Sequence, residues 1–135
     1  MQNLDIAERL RAALLYSGCT DAQLGRFDSH STIEMEMKEQ PNICVDVIDG
    51  DIWLWSVLAQ MTPAIFAYSA EALLRYLFKG NADARSGQLQ LFEVDGQFEA
   101  RLMLGELALS SDRSFAEAID GFMQDTEELC RIIRQ

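Results

Sequence analysis

Two Asp-Gly pairs, Asp49-Gly50 and Asp95-Gly96, each stand between runs in which apolar residues recur at every second position. An Asp-Gly pair readily takes the two positive-φ positions of the tightest hairpin turn, so each pair predicts two antiparallel strands joined directly. Before the first turn, Ile43, Val45 and Val47 alternate with other residues; after it comes "DIWLWSVLA". In that strand Ile52, Leu54 and Leu58 share a face with Ser56, while Trp53, Trp55 and Val57 take the other. It is apolar on both sides, and something must cover its second face. Residues 32–37 also alternate, with Ile33, Met35 and Met37 on one face and Thr32, Glu34 and Glu36 on the other, and Pro41 ends the connection. Together these runs predict a three-stranded antiparallel meander. "GQLQLFEV" and "QFEARLML" predict a separate hairpin around Asp95-Gly96.

Helical spacing fills the remainder. Ile6, Leu10, Ala13 and Leu14 recur at helical intervals, and Gly18 stands where a terminating glycine belongs. Leu4 and Leu15 project from the opposite side of that helix. Thr62 and Pro63 read as N-cap and first helical residue of a second helix running to about Lys79, with Gly80 closing it. Glu71, Arg75, Lys79 and Tyr68 form a narrow stripe there, and apolar residues cover more than half of the circumference. An arc that wide predicts packing on the chain's own sheet and on a second surface, most simply a copy of itself across a two-fold axis. Ser114 and Glu117 have capping-box spacing ahead of an amphipathic C-terminal helix that Gly121 interrupts. The order is helix, three strands, helix, two strands, helix. It predicts one α+β domain over residues 1–135.

The chain carries 22 acidic residues against 11 Lys plus Arg, a formal charge of −11. Phosphate backbones and anionic membranes would repel it, which argues against nucleic acid and membrane partners. No run is long and apolar enough for a membrane helix. The first residues, "MQNLDIAERLRAALLYSG", lack the basic start and apolar run of a signal peptide. Cys19, Cys44 and Cys130 are odd in number and widely spaced, which fits a reducing compartment and predicts a cytoplasmic protein.

"DSHS", residues 28–31, holds the single histidine, His30. Ser29 and His30 are adjacent, so in an extended segment their side chains point apart, and a serine triad needs groups that converge. No nucleophile elbow, phosphate-binding loop, dinucleotide fingerprint or zinc-helix motif is present. The expectation is a non-enzyme without cofactor or metal, in which Asp28 and His30 fix the turn entering the first strand. A hydrolase built on His30 and Asp28 is the catalytic alternative.

"LDIAERLRAAL" with "SGC" at its end, "DSHSTI", "PNICVDV", "DIWLW" and "GQLQL" before "DG" resemble, in register, the type III secretion chaperones of the class IB, multi-effector SpaK/InvB branch. Beyond Leu104 the likeness is one of pattern. The resemblance implies an α+β homodimer in the cytoplasm. It also implies binding of the N-terminal segments of several effectors, held extended and ready for the secretion machinery, without ATP or cofactor. An extended segment can add to a sheet edge with its alternate side chains in pockets, and methionines make pockets adaptable. On that basis Leu4, Leu15, Ile33, Met35, Met37, Trp53 and Trp55 are candidate effector contacts. Leu73, Tyr76, Leu77, Leu89 and Leu91 are candidate dimer contacts. A small α+β adaptor without a secretion role is the alternative reading.

Overall fold

The structure, a computed structural model, describes residues 5–18 and 32–135. Among them lie helix α1 (Ile6–Tyr16), strands β1 (Ile33–Met35), β2 (Ile43–Ile48) and β3 (Asp51–Gln60), helix α2 (Pro63–Leu77), strands β4 (Gln90–Val94) and β5 (Gln97–Met103), and helix α3 (Asp112–Arg134). This is the α+β order expected from periodicity. The strands form one antiparallel sheet in the order β1-β2-β3-β5-β4, so β3 is central and β1 and β4 are its edges.

Both hairpins turn where the Asp-Gly pairs stand. Asp49 and Gly50 have φ of 52° and 83°, and Asp95 and Gly96 have 51° and 76°. Positive φ at both central residues matches the right-handed twist of the flanking strands. Asp5 caps α1 by accepting the Glu8 N–H, and Thr62 caps α2 by accepting that of Ile65.

One sheet face is the core. Ile43, Val45, Ile52, Leu54, Leu58, Phe98, Ala100 and Leu102 are all buried. Helix α3 crosses β3, and α1 and α2 pack against α3. Phe115, Phe122 and Leu129 of α3 are fully buried, and Ile6, Leu10 and Ala13 of α1 close one flank. Ser56 is buried on this face without cost, because its hydroxyl donates to the Asn42 carbonyl at 2.8 Å.

Three boundaries differ from the sequence reading. Strand β1 stops at Met35 rather than residue 37, because the Met37 N–H is taken by the Asn42 side chain at 3.0 Å instead of a ladder carbonyl. Helix α2 ends at Leu77. The chain then tightens through Gly80, whose φ is 74° and whose missing Cβ would stand 2.9 Å from the Gly87 carbonyl oxygen. Helix α3 begins three residues earlier than the Ser114 capping box, since Ser111 is the N-cap and accepts from the Ser114 N–H at 3.0 Å. Asp112 then occupies the first turn, where a negative charge suits the helix dipole.

Candidate partner-binding surfaces

The side of the sheet away from the helices is ordered in rows set by strand register. Glu34, Cys44, Trp55, Arg101 and Gln90 lie opposite one another across all five strands. Asp46, Trp53 and Met103 form the neighbouring row on one side, and Val57, Glu99 and Phe92 the row on the other. Directly opposed residues share a face, so both tryptophans stand on this outer side with Cys44 and three carboxylates. The indole N–H of Trp55 donates to Asp46 Oδ2 at 2.7 Å, and the Thr32 hydroxyl donates to Asp46 Oδ1 at 2.6 Å. Asn42 donates to Glu34 Oε2 at 2.9 Å. Arg101 pairs with the nearly buried Glu99 at 2.5 Å, and its guanidinium lies 4.3 Å from the centre of the Phe92 ring. Burial first, then the negative charges of Glu34, Asp46 and Glu99, push the Cys44 thiol up to about 11. It is therefore protonated at neutral pH and a poor nucleophile. Burial also raises the Cys130 thiol, which sits in the core against the Leu58 carbonyl.

Helix α2 presents a second surface. Only Ser69 and Leu73 of it are buried, while Phe66, Leu74 and Phe78 are 52%, 53% and 69% exposed. They follow one another at four- and eight-residue steps along one side. Edge strand β4 lies beside the start of this helix, across a hollow lined by Met61, Thr62, Pro63, Phe66 and Glu93. The other side of α2 is tied to α3. Tyr76 donates to Asp125 Oδ1 at 2.5 Å, Asn81 donates to Asp125 Oδ2 at 2.9 Å, and the Tyr68 hydroxyl donates to the Ile133 carbonyl. Burial, followed by the Asp125 hydrogen bond and charge, raises the Tyr76 phenol; burial raises the Asp125 carboxyl.

A profile of the invasion protein B family matches residues 18–95. The chain belongs to the invasion protein B family. It is 37% identical over 131 residues to the surface presentation of antigens protein SpaK of Salmonella typhimurium, covering 97% of each chain, and equally to that of Salmonella typhi. Among solved structures, a chain of the heterodimeric ExoU–SpcU complex from the type III secretion system of Pseudomonas aeruginosa shares the fold. The TM-score is 0.57 and the identity 13%, covering 84% of this chain and 97% of that one. The resemblance drawn from "DSHSTI", "DIWLW" and "GQLQL" is thus borne out, and it extends past Leu104.

In this invasion protein B family member the candidate effector contacts fall on different surfaces. Ile33 is buried in the core, and Met35 and Met37 pack partly against it on the helix side of the sheet. Met37 also lines a hollow of about 730 Å³ beside the end of α3, with Lys38, Gln40, Glu127 and Arg131. Trp53 and Trp55 are on the outer side, partly exposed. Leu15 is 41% exposed on α1. Leu4 and the "DSHS" residues, with Asp28 and His30, lie outside the described residues, as does Cys19. Of the candidate dimer contacts, Leu73 and Leu89 are buried within this chain, and Tyr76, Leu77 and Leu91 pack partly against its core. The large exposed apolar residues of α2 and its C-cap are Phe66, Tyr68, Leu74 and Phe78; the sequence reading placed Tyr68 in the narrow stripe and the other three in the wide arc but not at its contact point. It missed the Glu99–Arg101 pair too. Two charges of opposite sign at alternate positions of "FEARL" were its available signal. Among the described residues no three His, Cys, Asp or Glu side chains converge to hold a metal, and no helix is long and apolar enough to cross a membrane.

Proposed function

We propose that this chain is a non-enzymatic, cytoplasmic type III secretion chaperone. It acts as a homodimer that holds the N-terminal segments of several effectors extended until export. The observation that carries this reading is the match to SpaK along nearly the whole of both chains. The relationship is not confined to a motif that an unrelated adaptor could share. The fold adds support, since its solved counterpart belongs to a two-protein complex of a type III secretion system.

The α2 face is the dimer surface. Phe66, Leu74 and Phe78 leave a contiguous apolar strip on the helix, and strips of this kind mark association sites on soluble proteins. Leu77, one turn on from Leu74, borders it, whereas Tyr76 turns towards α3 and Leu73 and Leu89 are buried within the chain. The two sheet edges and the apolar parts of the sheet then remain for extended segments.

Co-expression with N-terminal segments of candidate effectors, followed by light scattering, tests both parts. The expected species holds two copies of this chain and one segment. Leu74→Asp with Phe78→Asp is expected to give a folded monomer, because two buried, unpaired charges would oppose pairing. A folded double variant that stays dimeric removes α2 from the interface. A dimer that captures no effector segment sinks the chaperone reading.

A further inference from the structure

We propose that the outer face of the sheet docks a basic extended segment, with Lys or Arg side chains set against Trp53 and Trp55 between Glu34, Asp46 and Glu99. This rests on the reading of the chain as a binder of extended segments, and it names the chemistry that one surface selects.

Two hollows flank Trp55 on that face. One, of about 360 Å³, is walled by Asp46, Trp53, Trp55, Glu99 and Arg101. The other, of about 480 Å³, is walled by Glu34, Cys44, Trp55 and Val57 among others. The Asp46 hydrogen bond fixes the indole that divides them. Alternate residues of an extended segment project to the same side about 7 Å apart, which brings successive same-side groups to the two sides of one ring.

Charge decides what those groups are. The face carries Glu34, Asp46 and Glu99, with Asp51 at its margin, against two guanidiniums that are already engaged: Arg101 by Glu99 and the Phe92 ring, and Arg85 by Asp51. Strand register sets Glu34 directly across from Cys44, Asp46 two residues along β2 from it, and Glu99 in the neighbouring row beside Val57. Glu34 and Asp46 keep acceptor capacity beyond their bonds to Asn42, Thr32 and Trp55, and a purely apolar cover would strip water from it without replacement, which is costly. An acidic segment would be repelled by the face and by a chain of charge −11. A Lys or Arg side chain answers both demands. Its methylenes lie along the aromatic surface, and its cation meets the carboxylates and the indole faces.

The chain's two tryptophans are Trp53 and Trp55, so tryptophan emission reports this face alone. The test uses two short synthetic peptides with Val at alternate positions and either Lys or Glu between. The Lys peptide is expected to shift or quench the emission, at least about tenfold more tightly than the Glu peptide, and to weaken with added salt. Asp46→Asn with Glu34→Gln is expected to reduce its affinity about tenfold further. Equal response to both peptides, or binding of the Lys peptide with unchanged emission, overturns the proposal. Emission that changes on dilution without peptide identifies a second copy as the occupant and also overturns it. The chaperone reading fails separately. Effector segments that co-purify undiminished with Trp53→Ala/Trp55→Ala leave that reading standing and remove this face from it.

Discussion

Ile52, Leu54, Ser56 and Leu58 lie on one side of β3 and Trp53, Trp55 and Val57 on the other, and the two sides are filled differently. The first set is at most 5% exposed, closed over by α3 and sealed even at its one polar position. The second, though built of larger side chains, stays partly open and is bordered by carboxylates. The helices repeat the contrast. Helix α3 buries ten residues along its length, whereas α2, more apolar in composition, buries two. Apolar content therefore does not mark the core of this fold. What separates core from spare surface is whether a polar border survives beside it.

Paired truncations across β3 probe that contrast with the largest effect. Leu54→Ala removes a fully buried side chain beneath α3 and is expected to cost about 2–5 kcal/mol in urea unfolding. Trp53→Ala removes more atoms, yet its site is open to water and collapses without leaving a cavity; a loss under about 2 kcal/mol is expected. Equal losses would make the outer face structural, and the difference between the two sides of the strand would vanish. The same denaturation curves should share one slope, since neither change alters how much surface unfolding exposes.

That contrast was half legible in the sequence. Period-two spacing in "DIWLWSVLA" assigned residues 52–58 of β3 to their sides, and the Asp-Gly pairs fixed both hairpins, because these signals act between neighbours in the chain. Which side the helices would choose was not encoded locally. Strand β1 ends where Asn42, five residues on, takes the Met37 N–H. On α2, periodicity drew an arc holding both Leu73 and Leu74; only the position of α3 decides that Leu73 is buried and Leu74 exposed. For the same reason Ile33 and Met35 looked available, whereas the packing above them places them on the core side.

A smaller effect tests how α2 is held so that its apolar strip faces outward. Tyr76 donates to Asp125 across the α2–α3 contact, and the acceptor is a carboxylate shared with Asn81. Tyr76→Phe keeps the ring and removes that bond, with an expected loss of about 1–2 kcal/mol. Self-association through the proposed α2 interface, measured by light scattering, should weaken with it, since the strip then loses its fixed orientation. Loss of stability with unchanged association would separate the tie from the α2 surface.

The smallest expected effect lies close to this tie, where the chain between α2 and β4 passes beside α3 and the Asn81 side chain accepts the Asp83 N–H at 2.8 Å. Asp83 accepts the Gly105 N–H through its carbonyl, and its carboxylate oxygen lies 3.8 Å from where a Cβ on Gly121 would stand. Burial, then the charges of Glu117 and Asp125, raise its carboxyl above the ordinary value of 3.8. A carboxyl raised in the folded state holds its proton better there than in the unfolded chain. Its contribution to stability is therefore fully present below 3.8 and is lost as pH rises through the folded value, leaving a cost at neutral pH. Asp83→Asn removes that cost. The variant is expected to be more stable than the parent at pH 7, by no more than about 0.5 kcal/mol because solvent screens a partly exposed group. The advantage should shrink as pH falls through the carboxylate range and disappear below it. A variant less stable at pH 7 would mean that the ionised carboxylate holds the connection against α3. The spare negative charge of this chain would then serve packing here as well as the open face of the sheet.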